Sequence, residues 1–308
     1  MRIAIIADVH GNYPALVNVV EDAVANNADK FVFAGDYIFD LPFSNEVTRL
    51  LMKLENAYIV KGNKETYLSW LANDNQDNWI YNQMACVYQT FRELSPDALA
   101  FLDGLEEECR IELSPEVSLL AVHRFKNIKP SPKNNCSSSN FRKKMLNAPF
   151  THEQFLSDFT ELINGDEYKP HIDQIDANII VYGHNHLQSY GYCGNKLIIN
   201  PGSCGQPLDF NNAAPYTILE INGSELNVIE KRVTYDIEST IEQTKKSIMY
   251  EKGTIWSELV FLALRTGMDY FGIFFEIASQ IASSKNEESA FFSNSTWDEA
   301  YEVFKAKN

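Results

Sequence analysis

The chain has 308 residues, 45% of them hydrophobic, so it can bury a large core as one large domain or two smaller ones. Its formal net charge is −16, which sets it against phosphate backbones and excludes a broad nucleic-acid interface; a small phosphorylated substrate stays open, because a bound metal ion reverses the local field. The cysteine count is odd, five, and the spacings are wide, which excludes a secreted disulfide framework and fits reduced cytosolic thiols.

In chain order, "RIAIIAD" is a continuous apolar run of strand length, the pattern of a strand covered on both faces. It ends in charge, with no signal-peptide core and cleavage site after it, and a cytoplasmic location is expected. "YPALVNVVEDAVANN" has helical spacing, "KFVFAGD" is the next strand, and "SNEVTRLLMKLE" the next helix, with Ser44 or Asn45 as its N-cap. "AYIVKGN" is a third strand, so the first sheet is expected to be parallel and built from βαβ units. Residues 64–103 read as helical. "SLLAVH", "NIIVYGH", "KLIIN", "PYTILEI" and "ELNVIEKRV" are strands separated by turns, which predicts a later sheet that is partly antiparallel.

Residues 124–147 hold Arg124, Lys126, Lys129, Lys133, Arg142, Lys143 and Lys144 with no acid, a basic loop in an acidic chain. Residues 236–308 read as wholly helical, an appended element expected to serve as a lid or an oligomer contact, with Trp256, Phe261, Phe271, Phe274 and Phe275 as core or homo-oligomer residues. Its most apolar stretch carries Glu258, Arg265, Asp269 and Glu276, which argues against a membrane span.

The chemistry sits where the apolar runs stop. Asp8 and His10 follow the first strand, Asp36 the second, Asn63 the third, His123 a fourth, and His184 and His186 a fifth. In open α/β sheets the binding crevice lies at the carboxyl ends of strands, so five such ends can converge. Along a strand, residues i and i+2 share a side, which would let Asp8 with His10, and His184 with His186, each aim two ligands at one place. Four imidazoles, two carboxylates and one amide suit Mn, Fe, Zn or Co, and are enough for two ions.

"DVHGN", "GD", "GNKE", a lone His after a strand, "GHNH" and "NPGS", in this order, resemble the motifs of calcineurin-like metallophosphoesterases. "NPGSCGQPLDFNNAAPYTILEI" and "LSPDALAFLDGL" also look like the bacterial and archaeal branch of small metallophosphodiesterases, in which diadenosine polyphosphate hydrolysis is known. The likeness covers roughly residues 1–240. It implies a four-layer αββα sandwich over residues 1–235, with an insertion at about 124–150 and the helical extension 236–308. It further implies that Asp8, His10 and His186 hold one metal, that Asn63, His123 and His184 hold the other, and that Asp36 bridges them. Asn12 and the backbone around Gly202 and Ser203 would place the phosphate. The implied reaction is attack by a hydroxide shared between two divalent ions, Mn or Fe first, Zn or Co as alternatives. His10, Asn63 and Lys64 are the expected catalytic residues.

Two departures from the pattern bear on the substrate. Many relatives have a His where this chain has Lys64, and a Lys, with an ordinary pKa near 10.4, is a poor proton donor at neutral pH. His123 is followed by Arg124 where relatives usually have Gly, and Arg124 and Lys126 are expected to contact an anionic substrate tail. Both favour a nucleotide or polyphosphate. The reading is therefore a two-metal phosphodiesterase or pyrophosphohydrolase, with asymmetrical diadenosine tetraphosphate hydrolysis the leading specific activity. The alternatives are a phosphomonoesterase or Ser/Thr protein phosphatase and, in another class, a non-catalytic metal-bound interaction scaffold.

Overall fold

The computed structural model describes residues 1–124, 138–147, 150–288 and 290–307. Two five-stranded sheets form its centre. The first contains β1 (Arg2–Ile6), β2 (Lys30–Phe33), β3 (Ala57–Ile59), β9 (Ala214–Asn222) and β10 (Glu225–Val233), in the order β10-β9-β1-β2-β3. Its β1, β2 and β3 are parallel; β9 runs antiparallel to β1 and β10 antiparallel to β9. The second contains β4 (Glu108–Ser114), β5 (Val117–Val122), β6 (Ile179–Val181), β7 (Gln188–Cys193) and β8 (Lys196–Pro201), in the order β4-β5-β6-β8-β7. Here β5, β6 and β8 are parallel and both edge strands antiparallel.

The apolar runs explain the stacking. Ile3, Ile5 and Ala7 alternate with Ala4 and Ile6 along β1 and just past it; the first set joins a core with Val32, Leu119, Ile179, Ile199 and Leu219 from both sheets. The second set faces outward, onto α1 (Tyr13–Ala25) and α2 (Ser44–Lys53) through Leu16, Val19, Val47 and Leu51. In the other sheet Ile180 and Ile198 face outward, against Phe159 and Ile163 of α7 (His152–Asn164) and Ile172 of α8 (Lys169–Ile172). Strands buried on both faces need apolar residues at every position, which is why these runs do not alternate. The result is the αββα sandwich.

The helical content between β3 and β4 is broken into α3 (Asn63–Asn73), α4 (Ala85–Glu93) and α5 (Pro96–Asp103), not one continuous stretch. The N-cap of α2 is Phe43, without a side-chain cap; Ser44 is instead the first helical residue and its Oγ accepts from the Phe39 N–H at 3.2 Å. Strands β4 and β7 were not foreseen. They are the two edges of the second sheet; β4 has the exposed polar positions of an edge, while β7 is mostly buried but carries Gln188, Ser189 and Gly191, so neither shows the apolar run of a central strand.

The basic segment is not wholly a loop: α6 (Ser138–Asn147) is a helix with Phe141 and Arg142 buried. Lys143 pairs with Glu276 at 3.4 Å, and Lys144 pairs with Asp158. This part of the basic run therefore meets acids of its own chain. Lys126, Lys129 and Lys133 lie outside the described residues. The C-terminal residues form α9 (Ile237–Thr244), α10 (Ile248–Lys252), α11 (Thr254–Thr266), α12 (Tyr270–Ser284) and α13 (Asn294–Lys307). Among the described residues, no helix is long and apolar enough to cross a membrane.

Candidate metal centre

The loops leaving β1, β2, β3, β5 and β6 meet at one end of the stacked sheets. The backbone stitches them together: Asp8, Val9 and Gly11 donate to the carbonyls of Gly35, Asp36 and Tyr37 at 2.7–2.9 Å, and Gly183 N donates to His123 O at 3.0 Å. Glu65, fully buried in the first turn of α3, accepts from the N–H groups of Asp36, Tyr37 and Gly62 at 3.0, 2.8 and 2.7 Å. It ties the loop after β2 to the loop after β3. The motif "GNKE" contained it, but only the buried geometry shows its use.

The side chains are not aimed by strand alternation. β1 ends at Ile6 and β6 at Val181, before their ligands begin. Asp8, His10, Asp36, His184 and His186 all have positive φ, between 51° and 77°. Non-glycine residues seldom adopt this left-handed region, though Asp and His tolerate it better than most. The turns swing each side chain back across the end of the sheets, and the conformational strain is concentrated at the site.

Two groups result. Asp8, His10 and His186 form the first; Asp8, Asp36 and His123 the second. Asp8 is common to both, and Asp36, to which the resemblance gives the bridging place, stands in the second. His10 Nε2 lies 3.1 Å from His186 Nε2, and Asp8 Oδ1 lies 3.8 and 3.5 Å from the two. His123 Nε2 lies 3.3 Å from Asp36 Oδ2 and 2.9 Å from Asn63 Oδ1. His184 is exposed, its ring centroid 5.2 Å from that of His123, and its backbone N–H donates to both Asp8 oxygens. It stands beside the second group.

The far nitrogen of each buried histidine is fixed. His186 Nδ1 faces the Gln206 carbonyl at 2.8 Å and His123 Nδ1 the Ala34 carbonyl at 2.7 Å. His10 Nδ1 lies 2.6 Å from Asp40 Oδ2, a short ion pair that is out of line for a hydrogen bond. These partners favour a proton on Nδ1, so that each ring, when neutral, turns its Nε2 lone pair inward. The carboxylates and the Asn63 carbonyl oxygen turn inward too. Once the rings are neutral, such a cluster of electron-pair donors can hold cations, and nitrogen with oxygen fits divalent transition metals. The residues present therefore fit a two-metal centre.

Without metal, protons balance the charge. Burial works against a charged ring, but the Asp40 carboxylate raises His10 to about 9, and burial is likewise outweighed at His123, which Asp36 raises to about 9. Burial would raise Asp8, yet His186 and His10 hold it below the usual carboxylate range; Asp36 is lowered in the same way by His123. The surrounding chain and His123 push His184 down to about 4, although its outer edge meets solvent.

Lys64 does not point at open space. Its Nζ lies 3.5 Å from Asp40 Oδ2 and 5.7 Å from the centroid of Trp256, whose indole N–H donates to Asp40 Oδ1 at 2.8 Å. Burial disfavours its charge, but Asp40 and Asp36 keep it above its ordinary range. Asp40 and Trp256 were not singled out as site residues by the sequence; they lie 216 positions apart, and no local pattern joins them. Asn12 caps α1 by accepting from Ala15 N–H, and its amide donates to Gly205 O and Tyr235 Oη at 2.8 and 2.9 Å, so in this arrangement both its N–H groups are used within the fold. Ser203 Oγ donates to Asp8 O at 2.7 Å and accepts from Gln206 N–H. Arg124 is exposed.

A sequence model described as calcineurin-like phosphoesterase matches residues 1–188. An uncharacterized protein of Methanocaldococcus jannaschii is 26% identical over 258 residues, covering 81% of this chain and 94% of that protein. The crystal structure of a metallophosphoesterase from Sphaerobacter thermophilus is similar with a TM-score of 0.58 at 22% identity, covering 87% of this chain and 99% of that one. A hypothetical protein from Pyrococcus horikoshii gives 0.57 at 16% identity, covering 83% and 97%.

Proposed function

From the premise that the chain belongs to the calcineurin-like phosphoesterase family, we propose that it hydrolyses phosphodiester or phosphoanhydride bonds in a small phosphorylated substrate of nucleotide type. Its coarser character, a metal-dependent phosphoesterase, follows from the family and the two ligand groups. Two divalent ions, when bound, would supply a nucleophile from water at neutral pH and offset charge on the phosphoryl oxygens. Asp8, His10 and His186 would hold one, Asn63, His123 and His184 the other, and Asp36 would be shared between them. The chain's own part is to fix the Nε2 lone pairs inward and to keep the carboxylates ionised.

One observation carries the finer reading. Lys64, where many relatives have a proton-donating His, is held charged by Asp40 and Asp36 above its ordinary pKa. It keeps its proton at neutral pH, so leaving oxygens that need protonation are poorly served. Phosphoanhydrides, such as those of a dinucleoside polyphosphate, and aryl diesters have leaving groups that depart as anions. Mn or Fe remain the proposed metals, with Zn or Co as alternatives that the same ligands suit, and Arg124 is the proposed contact for an anionic tail.

The test is hydrolysis by Mn-loaded protein of a diadenosine polyphosphate, an aryl phosphodiester and a phosphopeptide, with His184→Ala as control. Turnover of the first two, lost in the variant, is expected. Turnover of the phosphopeptide alone would replace the proposal with a protein phosphatase, and two bound metals with no turnover on any of them would favour a scaffold.

A further inference from the structure

Helix α3 begins with Asn63 at the metal centre. Tyr67 and Trp70 follow it at i+4 and i+7, so the three share one face of the helix. At 1.5 Å per residue, their backbone positions lie about 6 Å and about 10 Å along the helix from Asn63. They are 37% and 39% exposed, although both are large aromatics. Their rings belong to a continuous row. Tyr67 lies 6.1 Å from the buried Phe39 and 6.5 Å from Trp70; Trp70 lies 6.5 Å from Phe291, and Phe291 lies 5.0 Å from Tyr81. The inner end of the row, Phe39, precedes Asp40, the residue that pairs with His10 and Lys64.

We infer that the exposed parts of Tyr67 and Trp70, backed by Phe291 and Tyr81, form a stacking site for the nucleobase of a mononucleotide-type substrate whose phosphate sits at the metal centre. The inference deepens the phosphoesterase reading and takes the position of the phosphate from it. Three features favour a base over other occupants. The row starts at the phosphate end and runs outward, as the parts of a nucleotide do. The exposed parts of two rings are far smaller than the roughly 800 Å² per partner of a stable protein interface. The net charge of −16 repels a long polyanion, whereas a single nucleotide needs only a local contact. Stacking uses the π-face that every base has, so the site selects for a base without choosing which. Tyr and Trp present that face at low conformational cost, with two side-chain torsions each.

The probes are adenosine 5′-monophosphate and ribose 5-phosphate, in which an anomeric hydroxyl replaces the base. Their dissociation constants are measured by calorimetry on the Mn-loaded full-length protein and on Tyr67→Leu/Trp70→Leu, with circular dichroism to check that the variant is folded. In the parent, adenosine 5′-monophosphate is expected to bind about tenfold tighter or more, and the gap should close in the double variant, because base–aromatic stacking is of that size. Equal binding of both probes by the parent protein, or a gap that survives in the variant, would overturn the stacking site. Hydrolysis of an aryl phosphodiester by the same preparation reads the catalytic proposal separately: no turnover with the gap present defeats that proposal and leaves the base site standing.

Discussion

At the scale of single residues the site is a problem in proton placement. Three histidines have their Nδ1 atoms held by Asp40, Ala34 O and Gln206 O, and three Nε2 atoms face carboxylates. Asp8, Asp36 and the histidines could be read in the sequence because each follows an apolar run. Which nitrogen carries the proton could not, since the partners Ala34 and Gln206 act through backbone carbonyls that any residue type supplies. The consequence is a pH dependence of metal binding. His10 and His123, raised to about 9, are protonated at pH 7.5 in the metal-free protein, while a ligand imidazole must be neutral. Each ion must then displace a proton. Affinity should rise about tenfold per pH unit per ion up to about pH 9 and level off above it. Titration with Mn²⁺ in buffers of different ionisation enthalpy counts these protons at pH 7.5. Release of about one per ion is expected; release of none would mean the rings are already neutral and the ion-pair description is wrong.

At the scale of elements, the centre depends on how closely the loops approach each other. The seven expected ligands could be found because the strands before them are apolar and the loops after them are polar. Their aim was misread. Period-two alternation ends with the strand, and the left-handed turns at Asp8, His10, Asp36, His184 and His186 depend on contacts from neighbouring loops. The edge strands β4 and β7 escaped notice because their polar residues hide the apolar run: those of β4 lie mostly at exposed positions, and those of β7, Gln188 and Ser189, are buried but hydrogen-bonded to backbone carbonyls. Gly62 shows the closeness. A Cβ there would lie 2.2 Å from both the N and the Oδ1 of Asp36 and 2.9 Å from Glu65 Oε2. Backbone cannot yield as a flexible side chain does, so Gly62→Ala must displace Asp36 and loosen the Glu65 bonds to Asp36, Tyr37 and Gly62. Overpacking of this kind costs about 1–3 kcal/mol. Unfolding in denaturant should show that loss, with Mn²⁺ stoichiometry falling below two because Asp36 has moved. A variant that melts and loads like the parent would show that the two loops are not coupled through this contact.

At the scale of the whole molecule, the helices after residue 236 have a core of their own, built from Leu259, Phe274, Ile277, Trp297 and Phe304, and a second contact surface onto the sandwich. In that second cluster Ile241, Val260, Phe261 and Leu264 pack with Leu41, which is 1% exposed and follows Asp40 in sequence. Trp256 extends the contact from packing to electrostatics, because its N–H holds the carboxylate that pairs with both His10 and Lys64. The sequence placed Trp256 among core or oligomer residues, and the apolar pattern of α11 gives no sign of its polar edge. Outer-layer partners of metal ligands are commonly worth 10–100-fold in metal affinity, and Trp256 is one layer further out, acting through Asp40 on His10. Trp256→Phe keeps the aromatic volume and removes the N–H alone. It should weaken Mn²⁺ binding several-fold with little change in melting temperature. Deleting residues 236–308 removes the same hydrogen bond and also exposes Leu41 and Phe43. It should weaken metal binding at least as much, and expose apolar surface that binds a hydrophobic dye. If the 1–235 fragment stayed folded and bound two metals as tightly as the full chain, the extension would be a separable appendage. If Trp256→Phe alone reproduced the loss of affinity without the loss of stability, the C-terminal helices would be acting on the metal centre through one hydrogen bond, and their packing would serve to hold that bond in place.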